Sequence, residues 1–281
     1  MIENPGSKLE HAIMLGRRLL AEQRARNRRI SDACRYYFEL IRQGGAGRET
    51  SINDILGAIG WPGHDNIYKC VEFALGAFGD RSSPKDPLGA KIPMVTHSLE
   101  LAAKAGPMGF DLPERVAQIA LLHDVLEDTE FTREELRTFD LKTGFDLLPA
   151  TLVLTEEREG LGREQSVSNF TKQIVLSSEA ASDRENIALV ELVDRIDDLS
   201  RVEYIEVMLE SRKEETRNRA RALLVKKLGK CQFTFGAVAK AINDNPKVRQ
   251  LQEVFDALFL LHTQDKNIQS EEVVVETKRY V

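Results

Sequence analysis

The sequence predicts an all-α protein. Apolar residues recur at three- and four-residue spacing through most of its length. Capping-box patterns stand before two of those runs, Asp111-x-x-Glu114 and Thr132-x-x-Glu135. Prolines are few, nine in 281 residues, while 30% of the residues are charged and 42% are apolar. That composition suits a soluble chain with an adequate core.

Charge and cysteines narrow the function classes. A formal net charge of -6 argues against nucleic acid as the main partner. No apolar run is long enough to span a bilayer, and no signal-peptide core stands at the N-terminus. Cys34, Cys70 and Cys231 are far apart and odd in number, with neither metal-finger nor disulfide spacing. A reducing, cytoplasmic location is the expectation.

Residues 8–42 read as one or two helices, apolar at Leu15, Leu19, Leu20, Ile30, Phe38 and Ile41. Arg17, Arg18, Arg24, Arg26, Arg28, Arg29, Arg35 and Arg42 make them basic; an anion or nucleic-acid patch is one reading, and a solvated face is the usual account of such a run. Gly44, Gly45 and Gly47 end this segment. A short helix follows over 51–59, closed by Gly60-Trp61-Pro62-Gly63, and another over 66–78. The stretch 79–89 is rich in turn residues and belongs on the surface, where binding groups often sit. It leads to His97, with Thr96 as the expected N-cap of the next helix.

The stretch that organises the chain is 111–128. It reads as one helix, capped by Asp111 and Glu114, with Val116, Ile119, Ala120, Leu122 and Val125 on its apolar face. His123-Asp124 and Glu127-Asp128 interrupt that face. Ionisable groups in such a place are costly to bury unless paired or metal-bound. His123 with Glu127, and Asp124 with Asp128, lie one turn apart.

Thr132 and Glu135 open a further helix. An apolar stretch runs over 145–154, a polar glycine-containing loop over 155–165, and a helix begins at Phe170. Ile187 to Leu199 is the second informative helix. Ile187, Val190, Val193 and Ile196 form its apolar row, and Asp194 falls into or beside it. Arg195 would neutralise that carboxylate as an ion pair; a metal ion would do so as a ligand. Helices are expected over 216–228, 233–242 and 248–261, and a short strand or disorder over 271–281.

His97, His123, Asp124 and Asp194 together offer two imidazoles and two carboxylates. Such donors suit Mn²⁺, Fe²⁺, Zn²⁺ or Mg²⁺. A His…His-Asp…Asp order on helices resembles the HD metal-dependent phosphohydrolases. His123-Asp-Val-Leu-Glu-Asp-Thr129 is similar to the HD-x-x-ED-T motif of the alarmone hydrolases of the RelA/SpoT group. Leu192-Val-Asp-Arg-Ile-Asp-Asp-Leu199 resembles their L-A-D-R/K-x-x-N-[ML] segment, and Lys85-Asp-Pro-Leu-Gly89 their K-D-P-x-G loop. The chain departs from the pattern at Ser98, where the family has Pro, at Asp198, where it has Asn, and at Phe78, where it often has His.

The resemblance implies an HD-domain helical bundle over 66–205. A basic helical extension would precede it over 1–65, and a helical extension would follow over 206–281. It implies metal ligation by His97, His123, Asp124 and Asp194, with Mn²⁺ as the cofactor. Glu127 and Asp128 would position and deprotonate the attacking water. Arg81, Lys85, Arg158, Asn169, Lys172 and Asp198 are the candidate substrate contacts. The implied reaction removes the 3′-pyrophosphate from (p)ppGpp, a small-molecule nucleotide, and the flanking helices leave room for oligomerisation. Two other readings remain: an HD phosphohydrolase for another nucleotide or phosphomonoester, and a non-catalytic HD module that binds a nucleotide or a partner.

Overall fold

The path of the chain is set by which helix faces are apolar. In the computed structural model, residues 5–82, 92–108, 112–156, 162–176, 183–242, 244–265 and 268–280 are described. Among them every extended element is helical, and the sole β-type pairing is an isolated bridge between Ser82 and Pro93. The all-α expectation therefore holds.

The elements are α1 (Pro5–Arg42), α2 (Arg48–Ile59), α3 (Asp65–Phe78), α4 (Thr96–Ala105), α5 (Pro113–Leu122), α6 (Val125–Asp128), α7 (Arg133–Thr143), α8 (Leu148–Leu154), α9 (Arg163–Leu176), α10 (Arg184–Ser200), α11 (Glu203–Leu209), α12 (Glu214–Ala241), α13 (Pro246–Asp265) and α14 (Ser270–Thr277). Short 3₁₀ turns follow α4 and α14.

α10 is the central post. Of its residues, Ile187, Val190, Leu192 and Leu199 are fully or almost fully buried, because α4, α5, α12 and α13 pack around it. α1 lies along α13 and also touches α2 and α4. One apolar cluster runs from Leu20 through Leu99, Leu122 and Val190 to Val273, crossing residues 65/66 and 205/206. Cys34, Cys70 and Cys231 are all buried thiols, and burial pushes Cys34 and Cys231 up to about 12.

Several local signals act as expected. Thr132 and Glu135 exchange both capping-box hydrogen bonds at the start of α7. Gly60 ends α2 at φ 84°, the left-handed conformation that favours glycine. Thr96 is the first residue of α4 rather than its cap; Val95 takes that place, and His97 remains in the first turn.

Other elements differ from the sequence reading. The organising stretch is not one helix. It starts at Pro113 after Leu112, without a side-chain cap, and breaks at His123-Asp124 before the single turn of α6. Asp111, the expected cap, lies outside the described residues. α9 begins at Arg163, seven residues before Phe170. The helices expected over 216–228 and 233–242 are one, α12, continuous through Gly229. That glycine serves packing: a Cβ there would stand 2.7 Å from Cγ of Glu276. In place of the short strand or disorder expected over 271–281 stands α14, opened by a capping box of Gln269 and Glu272 and anchored by buried Val273 and Tyr280.

Candidate metal centre

The break between α5 and α6 places two consecutive ionisable residues at one point on the face of the core. His123 follows the apolar helix α5 and is 4% exposed. Asp124 is half-buried and caps α6, accepting the amide protons of Glu127 and Asp128 on its carbonyl at 3.1 and 2.8 Å. His97 comes from the first turn of α4, and Asp194 from the buried face of α10.

These four side chains converge. His97 Nε2 lies 3.1 Å from Asp194 Oδ1 and 3.6 Å from Asp124 Oδ2. His123 Nε2 lies 3.0 Å from the same Asp124 oxygen. The two imidazoles meet edge to face, 5.2 Å between centroids. Ligand atoms of His97, His123 and Asp194 all fall within 4.8 Å of one another.

The protonation pattern fits a cation at this point. His123 Nδ1 sits 2.8 Å from the Ala120 carbonyl, an acceptor, so Nδ1 carries the proton. Nε2 then presents a lone pair to the site, and this buried atom has no hydrogen-bond partner. His97 repeats the arrangement. Its Nδ1 is 3.0 Å from Asp197 Oδ2, which leaves the Nε2 lone pair facing the oxygens of Asp194 and Asp124. Electron-rich atoms so close together repel unless a positive charge lies among them. Two nitrogens and carboxylate oxygens are a donor set for a divalent ion of the manganese, iron or zinc type.

Electrostatics move the two rings in opposite directions. Burial holds the His97 pKa below the ordinary histidine value, aided by Arg201 and opposed by Asp197 and Asp124. For His123 burial acts the same way, but Asp124, the Ala120 carbonyl and Glu191 outweigh it, and the net shift is upward.

Around the cluster lies a layer that the sequence reading did not find. Asp197 is fully buried. It accepts Gln23 Nε2 of α1 at 2.6 Å and Lys104 Nζ of α4 at 2.5 Å on one oxygen, and faces His97 on the other. Burial works against its charge, yet Lys104, His97 and Arg201 prevail and hold its pKa well below the ordinary carboxylate range. The sequence held one clue: Asp194 and Asp197 are three residues apart, hence on one face of α10. Gln23 and Lys104 come from distant segments and carried no signal.

Arg195 is also buried. It pairs with Asp194 Oδ2, lies 2.9 Å from Glu191 and bonds Asp198 at 2.8 Å. The ion pair anticipated for Asp194 therefore exists, but it occupies Oδ2 and leaves Oδ1 towards His97.

The remaining expected residues are spread around this centre. Glu127 is half-buried and accepts the Glu156 amide at 3.2 Å; Asp128 is exposed. Glu156 in turn accepts from Ser166 at 2.7 Å and pairs with Lys230 at 3.4 Å, tying α6 to α9 and α12. Asp198 is held by Arg195 and by Lys227 at 3.2 Å. Arg81 folds back onto the end of α3, donating to the carbonyls of Phe78 and Ala77. Asn169 and Lys172 are exposed on α9, where Asn169 accepts from Gln165 at 2.7 Å. Lys85 and Arg158 lie outside the described residues.

No protein-family model matches the chain, and no solved structure does. The chain is 31% identical over 142 residues to the guanosine-3′,5′-bis(diphosphate) 3′-pyrophosphohydrolase of Aquifex aeolicus (strain VF5). The alignment covers 50% of this chain and 18% of that protein. Among the described residues no helix is long and apolar enough to cross a membrane.

Proposed function

We propose that this chain is an HD-type metal-dependent phosphohydrolase that removes the 3′-pyrophosphate from guanosine 3′,5′-bis(diphosphate) or its triphosphate analogue. The observation that carries the proposal is the convergence of His97, His123, Asp124 and Asp194, with both histidine Nε2 lone pairs turned inward. The name of the Aquifex aeolicus relative points to the same substrate class.

These four residues would hold the ion, Mn²⁺ being the one that the HD resemblance implies. Such an ion, when bound, lowers the pKa of a water molecule and offsets phosphate charge. Asp197 fixes the His97 ring through Nδ1, and the Ala120 carbonyl fixes His123 in the same way, so neither ring must reorganise. Arg195 neutralises one oxygen of Asp194 and keeps the other aimed at the site. Glu127 and Asp128 are assigned to hold and deprotonate the attacking water, one turn beyond Asp124. Glu156 and Ser166 restrain Glu127 for that role. Asn169 and Lys172, three residues apart on an exposed face of α9, are assigned to the substrate.

The test is a screen of the purified, Mn²⁺-loaded protein against a nucleotide panel, with pyrophosphate and phosphate release read separately. Pyrophosphate from the guanosine 3′,5′-bis(diphosphate) arm is the expected result. Turnover of other nucleotides alone would reassign the substrate, and absence of any turnover would refute the enzymatic reading.

A further inference from the structure

Three of the arginines of α1 share one side of the helix. Arg17, Arg24 and Arg28 recur at intervals of seven and four residues, which places them on one side of the helix. That side borders a groove of about 500 Å³ between α1, α11 and α13, with Leu20 and Leu261 as its apolar wall and Glu206 as the one acidic residue among the described lining residues. We propose that this groove is a binding site for a small molecule carrying a di- or triphosphate.

Its volume falls in the range of small-ligand pockets. Charge selects the class of ligand. Among the described lining residues three guanidinium groups accompany one carboxylate, Glu206, in a chain whose formal charge is -6. Planar guanidinium forks match phosphate oxygens two bonds at a time. The apolar wall lowers the local dielectric and strengthens each such contact.

Geometry selects more than one phosphate. Eleven residues of helix separate Arg17 from Arg28, about 16 Å at 1.5 Å per residue. A linked chain of phosphates, reached by the arginine side chains from both ends, fits this length better than one phosphate does. The spacing is also preset. All three arginines sit on one uninterrupted helix, and that helix is locked against α13 beside Arg17: a Cβ on Gly16 would stand 2.7 Å from the Ala257 carbonyl oxygen. Arg24 is fixed from the other side by Glu206 at 2.7 Å. Arg24, held in this way, loses little ordering entropy on binding.

The metal cluster is built from α4, α5, α6 and α10, so the two sites can be tested apart. Inorganic pyrophosphate is the probe, titrated calorimetrically into the full-length protein stripped of metal with a chelator. One saturable site is expected. Affinity should fall at least tenfold in R17A/R28A and stay within twofold of wild type in His123→Ala. Arg17 and Arg28 are exposed, so the double variant should melt like wild type. A second measurement needs no variant: the Nε–H resonances of Arg17 and Arg28 in labelled wild-type protein should move on adding pyrophosphate. Undiminished binding by R17A/R28A, loss of binding in His123→Ala, absence of a saturable site, or unmoved arginine resonances would each overturn the proposal.

Discussion

His97 Nδ1 stands 3.0 Å from Oδ2 of Asp197, a carboxylate with no solvent exposure. This pair sets which nitrogen of His97 faces His123 and Asp194. It also links those residues to α1, because Gln23 donates to the other Asp197 oxygen. Replacing Asp197 with Asn keeps the volume and weakens the acceptor. Loss of such a carboxylate behind a histidine ligand typically lowers metal affinity about 10–100-fold. Chelator competition on Asp197→Asn should show a fall of that order. Unaltered affinity would mean that His97 is held by packing alone.

The carboxylates after Asp124 separate chemistry from binding. Glu127→Gln combined with Asp128→Asn should reduce turnover by about two to four orders of magnitude, the usual effect of losing a general base. Metal content should be retained, since neither residue belongs to the converging set. Wild-type-like hydrolysis by the double variant would remove these residues from the mechanism.

Glu100 gives the protein a pH dependence. Burial raises its pKa to about 8, with Asp197 adding to the shift and Lys104, Arg201 and His97 opposing it. Its Oε1 has no hydrogen-bond partner, as suits a protonated acid in the core. The folded protein keeps a proton that the unfolded chain releases above about pH 4.5, near the ordinary glutamate value. The folded state therefore binds more protons, and stability falls as pH rises from that value to about 8. Denaturant unfolding of Glu100→Gln should show a weaker decline over that window than wild type. Parallel profiles would show that Glu100 is already ionised in the fold.

Close packing under α4 is testable at Gly106. A Cβ there would collide with the Trp61 ring and stand 3.1 Å from the Ala117 Cβ. Overpacking of this kind costs about 1–3 kcal/mol, so Gly106→Ala should melt measurably below wild type. An unchanged midpoint would mean that Trp61 can shift.

The site was legible in the sequence where chemistry is local. His123-Asp124 announced themselves as charges on an apolar helix, and Asp194 as a carboxylate within an apolar row. The helix break at His123-Asp124 was not legible, since nothing in the periodicity separates Leu122 from Val125. The layer behind His97 was illegible for another reason. Gln23, Lys104 and Asp197 meet only after α1, α4 and α10 pack, and no spacing rule joins positions so far apart. The same limit hid the continuity of α12: Gly229 resembles a helix breaker until α14 is laid against it.

The central claim is that His97, His123, Asp124 and Asp194 hold a single divalent ion. Its most direct test is metal analysis of the purified protein after reconstitution with Mn²⁺ and removal of excess ion, beside His123→Ala treated identically. One manganese per chain in the wild type is predicted, with a marked loss in the variant. No retained ion, a pair of ions, or equal retention by His123→Ala would contradict it.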